Sequence, residues 1–219
     1  MKKIFFLVFV FSKIGIGMIF SQDLPDPYNS LSNVLPFDGH HWFVNPIPLK
    51  NVLSEKPAYT VIEIGSWLGE STRFIANNLS DKKGLVYAVD HWKGPLPSMG
   101  YEELGAYEEQ KHRLPTLYEQ FLSNIIHAGL CNTIIPIRME SLEAARQLDV
   151  IADVIYIDAA HDTESVYSDI MHWLPHVSID RGVICGDDWS WASVRKAVEK
   201  AAVDLHMEIY TEGNFWRLK

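Results

Sequence analysis

Cysteine is scarce in this 219-residue chain, and so is positive charge. Two Cys cannot build a disulfide framework or a four-thiolate zinc site. Lys and Arg total 19 against 28 Asp and Glu, a net charge of −9. A chain of that sign is repelled by phosphate backbones, which argues against nucleic acid as a partner. Internal repeats and low-complexity tracts are missing, and 47% hydrophobic against 21% charged residues excludes wholesale disorder and coiled coil. Also missing is an apolar run long enough to span a membrane stably. The run Ile4–Phe11 is too short, and Lys13 interrupts its continuation to Phe20.

That run follows Met1-Lys2-Lys3 and reads as a secretory signal, with Ser21 before the cut. Met18 is the competing start. The first reading exports the protein and the second keeps it cytoplasmic; two unpaired thiols fit a reducing compartment better. Residues 1–21 are therefore set apart as a signal-like segment. Residues 22–58 are rich in Pro, Asn and aromatics, and form an arm whose prolines exclude a helix or central strand. Residues 59–219 are the main domain.

Here apolar strands alternate with helical spacings. Strands are predicted at Tyr59–Ile64, Leu85–Val89, Thr133–Ile137, Asp153–Ile157 and Gly182–Gly186. Helices are predicted at Ser71–Leu79, Thr116–Ala128, Ser141–Gln147, Glu164–Leu174 and Ser193–Val203, and Gly129 stops the second. Met207–Thr211 and Phe215–Leu218 make a closing hairpin. The expected fold is α/β: a doubly wound, mostly parallel seven-stranded sheet with helices on both faces and an antiparallel C-terminal hairpin. Ligands of such sheets bind beyond the carboxyl ends of the strands.

The first strand runs into Glu63-Ile64-Gly65-Ser66-Trp67-Leu68-Gly69-Glu70-Ser71 and then a helix. The dinucleotide fingerprint G-x-G-x-x-G fails, because Trp67 and Glu70 occupy its second and third glycine positions. No Gly-Lys-Ser/Thr follows, which excludes a P-loop. Strand two ends in Asp90, where a carboxylate can accept both ribose hydroxyls. Glu63 and Asp90 are singly explicable as satisfied strand-end acids. Together they point to an adenosine-type ligand without a pyrophosphate.

With these features the chain resembles the class I S-adenosylmethionine-dependent methyltransferases, from about Thr60 to the C-terminus. The resemblance implies a Rossmann-like methyltransferase fold. It places the cofactor against Glu63, Gly65, Ser66, Trp67, Gly69 and Ser71, its ribose on Asp90, and its adenine beside Glu140 and Ser141.

Acids gather after the later strands. Strand four ends in Asp158-Ala159-Ala160-His161 and strand five in Gly186-Asp187-Asp188-Trp189. Neighbouring strand ends lie about 4.8 Å apart. Two carboxylates at ~4 Å repel by about 4 kcal/mol at an effective dielectric near 20. A cation, a basic partner or a bound proton must offset Asp158, Asp187 and Asp188, and oxygen donors suit Mg²⁺ first, then Mn²⁺ or Ca²⁺. Asp162 and Asp188 also stand before helices, where a carboxylate serves as a plain cap. Asp187 and Asp188 share a ligand only if the chain has already left the sheet. The two acidic segments resemble those of macrocin-type sugar O-methyltransferases and a related cephalosporin-biosynthesis enzyme, in which the acids matching Asp158, Asp187 and Asp188 hold a divalent metal. The chain has Asp180-Arg181-Gly182 where such relatives carry Pro-Gly-Gly.

The expected activity is metal-assisted O-methylation of a small-molecule hydroxyl, with Asp158 or His161 taking the proton. Two other readings stand beside it. One is a cofactor-binding or interaction protein without catalysis, the other a metal-dependent hydrolase or lyase. The insertion Lys93–Pro115 reads as a lid or a solvated acidic face. His40-His41-Trp42 either covers the site or simply packs. A homo-oligomer is compatible with all of this.

Overall fold

The computed structural model of the protein describes residues 24–39, 41–55, 58–80, 83–94 and 116–219. The signal-like segment, His40 and all of the 93–115 insertion beyond Gly94 lie outside the described residues. Seven strands form one sheet: β1 (Thr60–Ile64), β2 (Leu85–Asp90), β3 (Ile134–Arg138), β4 (Val154–Ile157), β5 (Val183–Gly186), β6 (Ile209–Glu212) and β7 (Phe215–Leu218). Their order is β3-β2-β1-β4-β5-β7-β6. β1 through β5 pair in parallel, and β7 is antiparallel to both β5 and β6. The expected mostly parallel sheet with its closing hairpin is therefore present.

The helices are α1 (Pro46–Glu55), α2 (Glu70–Asn77), α3 (Leu117–Ala128), α4 (Ser141–Gln147), α5 (Thr163–Trp173) and α6 (Ala192–Leu205). None of the described helices is long and apolar enough to cross a membrane. The central strands are apolar on both sides because both sides are covered. Val61, Val86, Val154, Tyr156 and Cys185 share one core with α1, α2 and α3. Ile62, Ile64, Ile155, Ile157 and Ile184 share the other with α4, α5 and α6. Ile155 is fully buried in the middle of the sheet. Ile155→Ala should lower the unfolding free energy by about 3 kcal/mol, read from urea denaturation, because the cavity left there cannot collapse. Cys131 and Cys185 are both free and buried.

Helix α1 corrects the sequence expectation for the arm. The arm's prolines read as helix breakers, yet Pro46 and Pro48 sit in its first turn. A first-turn N–H has no intrahelical partner, so proline loses nothing there. Ahead of α1 the arm lies on the domain. The Tyr28 hydroxyl donates to the Ile134 carbonyl at 2.8 Å, the Ser123 hydroxyl accepts the Leu35 amide, and the Asn124 carbonyl accepts that of Asp38.

Register brings the strand exits level. Ile64 lies opposite both Val89 and Ile157, and Ile157 opposite Gly186. Beyond the exits the ladder continues for one more step: Gly65 donates to the Val89 carbonyl, Asp158 to that of Ile64 and Asp187 to that of Ile157. Gly65, Asp90, Asp158 and Asp187 thus stand on one rim of the sheet.

Candidate active site

That rim borders a cavity of about 830 Å³, a size suited to a nucleoside-bearing cofactor together with a small acceptor. The exits of five strands, the arm and one helix face line it. Gly65, Ser66, Trp67 and Leu68 come from the β1 exit, Asp90 and His91 from β2, and Met139, Glu140 and Ser141 from β3. Asp158 to His161 follow β4, and Asp187 and Asp188 follow β5.

Of the residues expected to touch the cofactor, Gly65, Ser66, Trp67, Ser71, Asp90, Glu140 and Ser141 line the cavity, whereas Glu63 and Gly69 do not. Glu63 is fully buried on the α2 side of the sheet, where its carboxylate accepts the Thr72 hydroxyl. Burial raises its pKa, and the nearby hydroxyls of Ser71, Thr72 and Ser66 only partly offset that. Gly69 is the left-handed residue that starts α2, with the Phe121 ring where its side chain would be. Gly65 (φ 90°) faces the other way: a Cβ there would lie 1.9 Å from the Asp158 carbonyl oxygen. Its missing side chain lets the β1 and β4 exits close against each other.

Asp90 is held by the backbone. Its oxygens accept the amides of Trp67 at 2.9 Å and Trp92 at 2.7 Å. Burial raises its pKa, and those two amides and His91 work against the rise. Each oxygen keeps a further lone pair, so the site fits ribose hydroxyls. Glu140 is tied at the rim to Lys93 Nζ at 2.6 Å.

At the other end of the cavity, Asp158, His161 and Asp188 bring ligand atoms within 4.8 Å of one another. His161 Nε2 lies 2.5 Å from Asp188 Oδ2, and its ring stacks on Trp191 at 4.8 Å. Asp188 adopts φ 65°, so the chain has left the sheet where the sharing of a ligand requires it. Asp162 is a plain helix cap, accepting the amides of Glu164 and Ser165. Asp188 is not a cap, since its carboxylate meets His161. Asp187, expected beside Asp158 and Asp188, is near enough for its charge to raise the Asp158 pKa but is not one of the three residues whose ligand atoms fall within 4.8 Å. Its Oδ1 accepts the Asn45 amide at 2.5 Å and the Asp188 N–H at 2.6 Å, and its Oδ2 faces the Tyr156 hydroxyl at 3.4 Å.

Burial drives the Asp158 pKa well above the carboxylate range, and the charges of Asp187, Asp188 and Glu63 push it further. Burial and the Asp188 charge raise Asp187 to about 6, against the Asp188 N–H, Tyr156 and Asn45. The negative charge is therefore under-compensated by protein groups. Two carboxylates and an imidazole in such a field fit a divalent cation.

The arm brings to the site Trp42, one of its sequence candidates, and also Phe43, Val44 and Asn45, which the sequence did not single out for it. Glu70 accepts the backbone amides of Trp42 and Phe43 and faces His41 Nδ1 at 3.2 Å. Asn45 ties the far end of the same stretch to Asp187. Trp42, Phe43 and Val44 between these anchors form a wall of the cavity, and Trp42 stacks on Trp67 at 5.9 Å with planes 11° apart. Trp67 and Asp188, two of the four non-glycine residues at positive φ among the described residues, both line the cavity. Such strain persists only where surrounding structure imposes it.

A family model described as a methyltransferase domain matches residues 62–189, more than half of the chain and both ends of the site. A search of curated proteins gave no match. Similar solved structures include an O-methyltransferase from Bacillus cereus in complex with SAH, at 20% identity and TM-score 0.56, covering 85% of this chain and 83% of that one. The O-methyltransferase TomG from Streptomyces achromogenes, involved in tomaymycin synthesis and solved with SAM, is 13% identical with TM-score 0.57, over 78% and 76% of the two chains. Cofactor-bound Rv0187 from MTB is 17% identical with TM-score 0.60, over 90% and 83%. At these identities the likeness is one of fold. From the matched domain, the chain belongs to the methyltransferase-domain family and is a class I S-adenosylmethionine-dependent methyltransferase.

Proposed function

We propose that the protein methylates a hydroxyl of a small-molecule acceptor, with a divalent cation held by Asp158 and Asp188 next to His161. The observation that carries this reading is the placement of Asp158, His161 and Asp188 on the wall of the cavity that Gly65, Trp67 and Asp90 also line. The O-methyltransferases among the similar structures support it.

When bound, S-adenosylmethionine supplies a methyl group on a sulfonium, already electrophilic without acid help. A divalent cation held by Asp158 and Asp188 would supply Lewis-acid activation of the acceptor hydroxyl. The chain supplies orientation and a proton acceptor. Asp90 and the β1 exit hold the cofactor. Asp158 or His161 takes the hydroxyl proton. Asp188 against Nε2 favours a proton there, which makes Nδ1 the basic nitrogen of the neutral ring. Trp42 and Trp67 shelter the mouth from water and flank the acceptor.

The test is methyl transfer from labelled S-adenosylmethionine to a panel of phenols, catechols and sugars, with EDTA and with Mg²⁺ restored. Turnover of a hydroxyl acceptor, lost in EDTA and regained with Mg²⁺, is the expected result. Turnover confined to amine or thiol acceptors, or indifferent to EDTA, would refute the O-methyl or the metal part respectively.

A further inference from the structure

Trp42 is 47% exposed and Val44 61%, and both line the cavity. Exposed apolar surface gathered at a cavity mouth marks a binding surface. The stretch that carries it is held at both ends. At one end the Glu70 carboxylate accepts the Trp42 and Phe43 amides at 3.0 and 3.2 Å, and the Phe43 ring packs on Phe74 of α2 at 5.0 Å. At the other, Asn45 is 5% exposed and donates to Asp187 Oδ1 at 2.5 Å. The same oxygen accepts the Asp188 N–H at 2.6 Å. One carboxylate oxygen therefore joins the arm to Asp188, which belongs to the cluster with Asp158 and His161. A molecule whose hydroxyl reaches that cluster has the arm beside the rest of its frame.

The chemistry of the arm wall says what that frame is. The side chains of Trp42, Phe43 and Val44 offer carbon and a single polar atom, the Trp42 indole nitrogen. Sugar hydroxyls turned toward that wall would lose water without finding partners. A planar aromatic ring has no such loss and gains a stacking contact with an indole. Trp42 already lies in a stack, with Trp67 from the β1 exit, their planes 11° apart. A clamped backbone beneath it leaves little freedom to lose on binding. The wall also lies ahead of the matched methyltransferase domain, which begins at residue 62, so the shared domain does not bring it along. We infer that Trp42 is the residue that sets acceptor specificity, by stacking on an aromatic ring whose hydroxyl reaches the Asp158, His161 and Asp188 cluster. The inference deepens the proposed O-methylation and rests on it.

Steady-state methyl transfer to catechol, 2,3-dihydroxynaphthalene and methyl glucoside, at saturating S-adenosylmethionine and Mg²⁺, tests it. The first two carry the same pair of phenols on one ring and on two. Wild type should methylate both aromatics in preference to the sugar, with a KM about tenfold lower for the naphthalene, which covers more of the indole. Trp42→Ala should raise the naphthalene KM about 30-fold, bring the two KM values within about twofold and leave kcat within about threefold, because stacking is the same in the ground and transition states. Trp42→Phe should keep most of the preference for the larger ring. Methylation of the sugar in preference to both aromatics would overturn the inference. So would a Trp42→Ala protein that keeps the wild-type preference for the larger ring, or one that loses kcat with both KM values unchanged, the signature of a structural role. Turnover of no hydroxyl acceptor by wild type, across phenols, catechols and sugars, would instead refute the proposed O-methylation.

Discussion

Asp158→Ala is expected to lower methyl transfer about 10³-fold while leaving S-adenosylmethionine affinity within a few-fold. The carboxylate belongs to the cluster with His161 and Asp188, whereas Asp90, the proposed ribose anchor, stands on a different strand. The same substitution should leave the thermal midpoint unchanged or raise it. An acid whose pKa is raised by folding costs stability at every pH above its unfolded value, because the folded state disfavours the ionised form. Burial and three neighbouring carboxylates do this to Asp158. Removing it relieves that penalty at neutral pH. Asp162→Ala is the control. Asp162 caps α5 and does not line the cavity, so its loss should cost about 1 kcal/mol of stability and leave turnover intact. A fall in melting temperature for Asp158→Ala with full turnover would reverse the two roles and remove Asp158 from the chemistry.

Gly65→Ala should be the most destabilising single methyl in the described chain. The new Cβ would sit 1.9 Å from the Asp158 carbonyl oxygen and 2.6 Å from Ala159 Cα, both backbone atoms, at a φ of 90°. No rotamer relieves a backbone clash, so the β1 and β4 exits must separate. The expected cost is about 4 kcal/mol or more, measured from the shift in urea midpoint. Cofactor affinity and turnover should fall together, because the β1 loop and Asp158 both move. Gly129→Ala provides the comparison. Gly129 also has a positive φ, 68°, but no atom lies within 4 Å of its Cβ position, and its cost should stay near 1 kcal/mol. Equal losses at the two glycines would show that the exits do not need their close approach.

Much of this site is readable from the sequence because parallel strands covered on both faces announce themselves as apolar runs. The residues following Ile64, Val89, Ile157 and Gly186 fall on one rim once the strands are aligned. Finer assignments depend on directions that a one-dimensional pattern does not carry. Glu63 lies one residue inside β1, and alternation turns it toward Thr72 beneath α2, away from the cavity. Asp187 and Asp188 are adjacent in sequence, but the left-handed turn at Asp188 sends one carboxylate to His161 and the other to Asn45.

The arm was less legible for another reason. Its prolines read as breakers, and only the first-turn position of Pro46 and Pro48 makes them compatible with α1. Locally, His40-His41-Trp42 reads equally as a cover for the site or as ordinary packing. The place of Trp42 in the cavity wall comes from Glu70 capturing the Trp42 and Phe43 amides and from Asn45 capturing Asp187, contacts between residues far apart in the chain. Asp169 is similar: in sequence it is one polar residue on an amphipathic helix, and only the packing of α5 against Ser141 turns it to the cavity.

The central claim is that the cavity at the carboxyl ends of β1, β2 and β4 holds S-adenosylmethionine, with its ribose on Asp90. Calorimetric titration of wild type and Asp90→Ala with S-adenosylmethionine tests it most directly. The account predicts one-to-one binding by wild type and a loss of about 100-fold in Asp90→Ala, as the ribose hydroxyls lose a charged acceptor fixed by the Trp67 and Trp92 amides. Undetectable binding by wild type, or equal affinity in the two proteins, would contradict it.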